Sequence, residues 1–128
     1  MITRPTRPTR PAIPTPNCAT RKVLDLIADE WTVFVVYALA DGTRRYSQLQ
    51  REVHGISQKM LTQTLRNMER DGMVERKVYP VVPPMVEYSL TELGQTLIEP
   101  LSAIGRWAEE HLGEVEQARA QYDRLNRC

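Results

Sequence analysis

The clearest pattern of apolar and polar residues lies between Ser57 and Gly72. Leu61, Leu65 and Met68 recur at helical spacing, so their side chains share one face of a helix that packs inward. Ser57 is a typical N-cap, and glycine is typical of the position just after a helix. The opposite face carries seven polar side chains, none of which is an acid: Gln58, Lys59, Thr62, Gln63, Arg66, Asn67 and Arg70. Because these side-chain types read base edges or bind phosphate, this face is a candidate surface for nucleic acid.

Three shorter segments before this helix also have the patterns of helices. Residues 19–28 are amphipathic with a helical period. Residues 31–40 are apolar enough for a buried strand or a buried helix, and their length favours the helix. Residues 46–53 make a two-turn helix, and residues 54–55 turn the chain. Two short helices joined by a tight glycine-containing turn, the second with a polar outer face, predict a helix-turn-helix.

Two short segments after the 57–72 pattern alternate between apolar and polar residues, as strands do. They span residues 73–79 and 85–90, and the prolines between them favour an antiparallel hairpin, or wing. Thr91 is a suitable cap for one long final helix with an apolar seam that reaches Val115. These patterns predict a mainly α fold with a small β-hairpin (α+β). Specifically, we predict a winged helix-turn-helix domain with N- and C-terminal dimerisation helices.

The length of 128 residues fits one folded domain. We predict a disordered Pro/Arg-rich arm at 1–17, the winged domain with its dimerisation helices at 18–112, and a helical tail at 113–128. The arm contains Thr-Arg-Pro three times, and proline disfavours both helix and sheet. Its arginines suit a passive solubilising tail, which we favour, or contacts with DNA phosphates: Arg4, Arg7 and Arg10.

The net charge of +1 excludes a uniformly basic surface but not a basic face, because net charge says nothing about distribution. The longest apolar run, residues 33–40, is far shorter than the roughly 20 residues that span a bilayer. The N-terminus contains arginines but lacks the apolar region of a secretory signal. We therefore predict a cytoplasmic protein without a membrane partner.

Cysteine and histidine are too scattered to predict a metal site. Cys18 and Cys128 stand near opposite ends of the chain, and His54 and His111 are far from both in sequence. No Cys-x-x-Cys pair is present, so we expect no zinc, and a cytoplasmic domain is not expected to depend on disulfides. The sequence also lacks a glycine-rich phosphate loop and a recognisable nucleophile–base pair. We predict a protein that is not an enzyme and needs no cofactor.

Several motifs together resemble those of the HxlR-type transcriptional regulators. The most specific are Ser-Gln-Lys-Met-Leu at residues 57–61 and Val-Pro-Pro-x-Val-Glu-Tyr at residues 82–88. The likeness covers roughly residues 18–112. It implies a winged-helix fold, a homodimer and sequence-specific binding to bacterial operator DNA.

The resemblance also implies a role for Cys18, because several members of the family sense oxidants or electrophiles through a cysteine before the first helix. An inert, half-buried thiol is the alternative. The chain departs from the family at Asp29 and Glu30, where Gly-Lys is frequent, which removes a cation. It also departs at Tyr46, where phenylalanine is usual, which adds a hydroxyl.

The polar face of the 57–70 helix is expected to enter the major groove of operator DNA. We expect three side chains to contact base edges: Gln58, Lys59 and Gln63. We expect seven others to contact phosphates: Ser57, Thr62 and Arg66 of the same helix, Arg44 and Arg45 at the start of the preceding helix, and Arg76 and Lys77 in the wing.

One winged helix reads too few base pairs for useful specificity, so we expect a homodimer. The predicted dimer residues are apolar and lie on the first and last helices: Val23, Ile27, Leu97, Leu101, Ile104, Ala108 and Leu112. Two-fold symmetry then predicts an inverted-repeat operator with half-sites about 34–36 Å apart, or a multiple of that distance.

Two other functions fit the same fold. One is a protein-binding module that acts as an anti-activator, although the polar outer face of the 57–70 helix favours DNA. The other is a MarR-like repressor gated by a small molecule, with a pocket lined by Trp31, Tyr37 and Trp107. Packing in the core is the simpler prediction for these three side chains. In either case an oxidant or a small molecule is a candidate effector.

Overall fold

The computed structural model describes residues 18–127. In chain order its elements are α1 (Ala19–Ile27), α2 (Glu30–Ala40), β1 (Arg44–Arg45), α3 (Tyr46–Glu52), α4 (Gln58–Arg70), β2 (Val74–Tyr79), β3 (Met85–Leu90), α5 (Glu92–Gln95) and α6 (Ile98–Leu125). This is the predicted mainly helical winged helix-turn-helix fold, which is therefore confirmed. The predictions for the 1–17 arm and for Cys128 lie outside the described residues.

Side-chain caps fix the start of several helices. Ser57 Oγ accepts a hydrogen bond from the backbone nitrogen of Met60 at 3.1 Å, at the start of α4. Asp29 Oδ1 accepts one from Trp31 N at 3.0 Å, at the start of α2. Each such cap stabilises a helix by about 1 kcal/mol. Gly72 follows α4 with a φ of +76°, a conformation that L side chains rarely adopt, and so ends the helix where the sequence predicted.

The sheet has three strands in the order β1-β3-β2, all antiparallel. The predicted hairpin of β2 and β3 is present, but β1 was not predicted. Arg44 and Arg45 were placed at the start of the helix that follows, and instead they pair with Tyr88 and Glu87 of β3. A strand of two residues has no alternation to detect, and its pairing depends on a partner more than 40 residues away.

The prediction of one long helix after Thr91 is wrong, because the chain forms α5 and then α6. Gly94 lies very close to Met73, the residue just before β2. A Cβ atom at position 94 would therefore collide with the carbonyl oxygen of Met73. The end of α5 is tightened by bonds from Thr96 N to Leu93 O and from Leu97 N to Gly94 O, both at 3.1 Å. The chain then starts α6, which runs without a break across the predicted boundary between residues 112 and 113.

The hydrophobic core lies between the helices and the inner face of the sheet. Its least exposed members come from α2, α3 and α4: Val35, Val36, Leu49 and Leu61, each 0% exposed. Leu101 near the start of α6 adds the only buried residue of that helix. Within residues 18–127 no helix is both long and apolar enough to cross a membrane. The core therefore holds α3 and α4 in a fixed relation, which sets the geometry of the surface described next.

Candidate nucleic-acid interface

The two faces of α4 differ as the sequence predicted. Leu61, Leu65 and Met68 are at most 2% exposed and belong to the core. The opposite face is exposed to solvent: Gln58, Lys59, Gln63, Arg66, Asn67 and Arg70. Each buried side chain stabilises the packing by about 1.5–3 kcal/mol. The orientation of α4 is therefore fixed by its apolar side, which presents the polar side outward as a rigid row.

The candidate base-reading side chains are available for contacts outside the chain. Gln63 Nε2 donates to Asn67 Oδ1 at 3.1 Å, one helical turn along the same face. This bond orients the Gln63 amide while leaving its oxygen and its second N–H free, the pair of groups that matches adenine. Among the described residues, the side chains of Gln58 and Lys59 have no hydrogen-bond or ion-pair partner.

A recess of about 340 Å³ separates the outer side of α4 from the wing. It is lined by side chains from both: Tyr46, Thr62, Leu65, Arg66, Glu69, Arg76 and Tyr88. Neither guanidinium forms an ion pair with any residue in the described part of the chain. Two predicted phosphate contacts that are ten positions apart in sequence, Arg66 and Arg76, thus border one cavity at the junction of recognition helix and wing.

The two wing cations lie on opposite faces of β2, because successive side chains of a strand alternate. Arg76 stands opposite Tyr88, whereas Lys77 stands opposite Glu87. Lys77 Nζ also lies 5.0 Å from the centre of the Tyr79 ring. Because Lys77 is next to a carboxylate and turned away from the recess, Arg76 is the better placed of the two for a phosphate.

Arg44 and Arg45 also differ from each other. Arg44 Nε lies 3.3 Å from Glu52 Oε1, and its Nη1 donates to Thr43 O at 3.0 Å. Its guanidinium is therefore already bound within the chain. Arg45 is exposed and borders a groove that runs to the wing tip, where Val82 is 100% exposed. Only Arg45 of this pair has a side chain free for a phosphate.

Cys18 occupies the N-cap position of α1. Its Sγ accepts a hydrogen bond from Arg21 N at 3.4 Å, and the side chain is half-buried. The thiol is thus both accessible and part of the start of α1.

Five of the seven predicted dimer residues divide into a group that packs within the chain and an exposed group, whereas Ile27 and Ala108 are half-buried. Leu101 is 2% exposed and belongs to the core of its own chain, and Leu97 packs against that core. By contrast Val23, Ile104 and Leu112 are 48%, 58% and 49% exposed. No residue of α1 is buried. The apolar sides of α1 and the middle of α6 are therefore uncovered in one chain.

Trp107 also belongs to the uncovered part of α6, which the sequence reasoning missed. It was predicted to pack in the core or line a pocket with Trp31 and Tyr37, but it is 57% exposed and lies against His111, with ring centres 5.0 Å apart. Trp31 does pack against the core, and Tyr37 donates its hydroxyl hydrogen to Leu101 O at 2.7 Å. Tyr37 lines a recess together with Phe34 and His54, and neither Trp31 nor Trp107 borders that recess.

The sequence profile of the HxlR-like helix-turn-helix family matches residues 26–116. The chain belongs to this family. The HTH-type transcriptional regulator YtfH of Escherichia coli (strain K12) is 46% identical over 99 residues, which are 77% of this chain and 79% of YtfH.

Solved structures agree with this assignment to the HxlR-like family. The transcriptional regulator ytfH from Salmonella typhimurium has 43% sequence identity and a TM-score of 0.73, over 83% of this chain and 95% of that one. The redox regulator HypR in its reduced form has 39% identity and a TM-score of 0.74, over 78% of this chain and 99% of that one. These relatives are regulators rather than enzymes. The protein is a transcriptional regulator with a helix-turn-helix DNA-binding domain.

Proposed function

We propose that this HxlR-like regulator binds an inverted-repeat DNA operator as a homodimer. In each subunit α4 lies in the major groove, and the wing from residue 73 to residue 90 lies on the flanking sugar–phosphate backbone. The observation that carries the proposal is the asymmetry of α4: Leu61, Leu65 and Met68 are buried, while the exposed polar side carries Lys59, Arg66 and Arg70 with one carboxylate, Glu69. A helix that bound a protein partner would present aromatic or apolar anchors on that side.

Within the recognition helix we assign base contacts to Gln58, Lys59 and Gln63. Ser57 and Arg66 contact phosphates on either side of the groove, and Arg76 adds a phosphate contact from the wing. Ser57 Oγ accepts the Met60 cap bond, so its own hydroxyl hydrogen is free to be donated to a phosphate oxygen. Arg66 and Arg76 border the recess between helix and wing, and this shared position supports contacts with neighbouring phosphates.

The uncovered apolar sides of α1 and α6 support the dimer. Val23, Ile104, Trp107 and Leu112 are exposed in one chain at a cost to a small domain, and in the proposed dimer a second copy covers them. A two-fold axis through this interface also relates two copies of α4. Half-sites about one helical turn apart, roughly 34–36 Å, follow from that symmetry.

We also propose that oxidation or alkylation of Cys18 changes operator binding. The Cys18 thiol caps α1, and α1 is one of the two helices with an uncovered apolar side, so a modified sulfur displaces a dimer helix. The likeness to the redox regulator HypR supports this response. Operator affinity should respond to diamide or an electrophile in the native protein and in Cys128→Ser, but not in Cys18→Ser. A Cys18→Ser protein that still responds contradicts the proposal.

The experiment that tests DNA recognition is selection from a pool of random duplexes followed by sequencing of the retained DNA. We expect an inverted repeat, and Gln63→Ala should relax the base preference at one symmetric pair of positions, because one bidentate contact supplies about 1–3 kcal/mol of discrimination. Weak, salt-sensitive retention without an enriched sequence would contradict sequence-specific binding and favour a protein partner instead.

A further inference from the structure

The hydroxyl of Tyr46 joins α3 to the first turn of the recognition helix. It donates a hydrogen bond to the backbone carbonyl of Gln58 at 2.9 Å. The same oxygen lies 2.9 Å from Thr62 Oγ1, a contact in which either hydroxyl could be the donor. Gln58 and Thr62 are one turn apart on α4, so one phenol oxygen contacts two successive turns of the helix.

The number of hydrogens decides the direction of the second bond. A phenol has one hydrogen to donate, and the Gln58 carbonyl oxygen can only accept. Tyr46 therefore gives its hydrogen to Gln58 O, and Thr62 must donate its own hydroxyl hydrogen to Tyr46 Oη. Thr62 then keeps its γ-methyl group and an acceptor lone pair, and it has no hydrogen left for another partner.

A threonine without a free hydrogen cannot make the phosphate contact that the sequence predicted for Thr62, since phosphate oxygens only accept. Its remaining groups match thymine, which presents a methyl group, and cytosine or adenine, which each present an amino donor, but not guanine, which presents only acceptors in the major groove. The contrast with Ser57 is direct. Ser57 Oγ accepts a backbone N–H and keeps its hydrogen, whereas Thr62 gives its hydrogen away.

We infer that Tyr46 is a positioning residue that sets the sequence preference of α4, by turning Thr62 from a phosphate donor into a base contact that disfavours guanine. The inference rests on the proposed binding of α4 in the major groove. Thr62 lies in the same helical row as Gln58 and Arg66, which is the row that faces the DNA in that proposal.

The test compares the native chain with Tyr46→Phe, Thr62→Val and the double variant in the random-duplex selection. Tyr46→Phe frees the Thr62 hydrogen for the guanine acceptors, so we expect discrimination against guanine at one symmetric pair of positions to fall about fivefold or more. In the Thr62→Val background there is no hydroxyl to orient, so Tyr46→Phe should cause no further change at that pair.

Tyr37→Phe is the matched control, because it also removes one phenol hydrogen bond to a backbone carbonyl, in this case Leu101 O on α6. Both Tyr→Phe variants should lower the melting temperature by a few degrees, about 2–6 °C. Only Tyr46→Phe should change base preference. A merely structural role for Tyr46 predicts the loss of stability without the change in preference, and that result would overturn the inference.

Two further results would contradict the inference. An equal change in preference on adding Tyr46→Phe to Thr62→Val would show that Tyr46 does not act through the Thr62 hydroxyl. Strictly additive losses of melting temperature in the double variant would show that the two hydroxyls are not bonded, and this readout needs no DNA.

If the native chain enriched no sequence, the proposed function itself would fail, and the inference with it. An enriched repeat that Tyr46→Phe leaves unchanged would overturn the inference alone.

Discussion

The recognition helix α4 and the C-terminal helix α6 are both amphipathic, but they complete their packing in different ways. In α4 the apolar side is buried within one chain, where Leu61 is 0% and Leu65 2% exposed. In α6 only Leu101 is buried, although the helix has 28 residues. Its apolar side continues outward through Ile104, Trp107 and Leu112 without a cover from the same chain.

In the proposed dimeric regulator, the difference separates two tasks. A helix that reads DNA must keep its polar side free and its position fixed, so its apolar side is satisfied locally. A helix that recruits a second copy must keep apolar surface available, so its packing is left incomplete in one chain. Substitutions on the apolar side of α4 should therefore change the free energy of unfolding, and substitutions on the apolar side of α6 should change the dimer dissociation constant.

The largest effect should come from the buried side of α4. Leu65→Ala leaves a cavity beneath the recognition helix and should lower the free energy of unfolding by about 4 kcal/mol, measured in urea. The matched control is Leu125→Ala near the end of α6, where the side chain is 78% exposed and the change should stay within about 0.5 kcal/mol. Equal losses in the two variants would contradict the contrast between the helices.

A somewhat smaller effect should come from the uncovered side of α6. Ile104→Asp places a charge in the proposed dimer interface, so the dimer dissociation constant should rise roughly a hundredfold, which corresponds to about 3 kcal/mol. Sedimentation velocity over a range of concentrations measures it. Ala120→Asp introduces the same charge at an exposed position on the other side of the helix and should change the dissociation constant little. A monomeric native chain, or equal effects of the two substitutions on the dissociation constant, would contradict the proposal that α6 forms the dimer interface.

The smallest predicted effect is a change in the salt dependence of operator binding, which should differ between an arginine without an ion-pair partner and an arginine that is paired within the chain. Arg66 borders the recess between α4 and the wing, whereas Arg44 is already paired with Glu52. Arg66→Gln should reduce the slope of log affinity against log salt by about 1.8, since each of two subunits loses one phosphate contact of about 0.9. Arg44→Gln should leave the slope nearly unchanged. Operator binding at several salt concentrations distinguishes them, and a larger change for Arg44→Gln would reverse the assignment.

The sequence predicted those elements whose pattern is local and repeated. Leu61, Leu65 and Met68 carry a full helical period, and Ser57 and Gly72 mark its two ends, so the bounds of α4 agree closely with the prediction. The hairpin strands were predicted for the same reason, because alternation and the intervening prolines are both visible in sequence.

Features that depend on distant partners were not predictable from the same patterns. Strand β1 exists because Arg44 and Arg45 pair with β3, and the break after α5 follows from the contact of Gly94 with Met73. For the candidate site, the polar row of α4 was predicted correctly as an exposed surface. The pairing of Arg44 with Glu52 and the bond between Tyr46 and Thr62 were not predictable, since both need the tertiary arrangement of α3.

The central claim is that α6 holds two copies of α4 at a fixed spacing on one face of operator DNA. The most direct test measures affinity for the selected inverted repeat before and after five base pairs are inserted between its half-sites. The insertion rotates one half-site by about half a turn, so affinity should fall to that of an isolated half-site. Unchanged affinity after the insertion would show that the subunits read their half-sites independently, which would contradict the account.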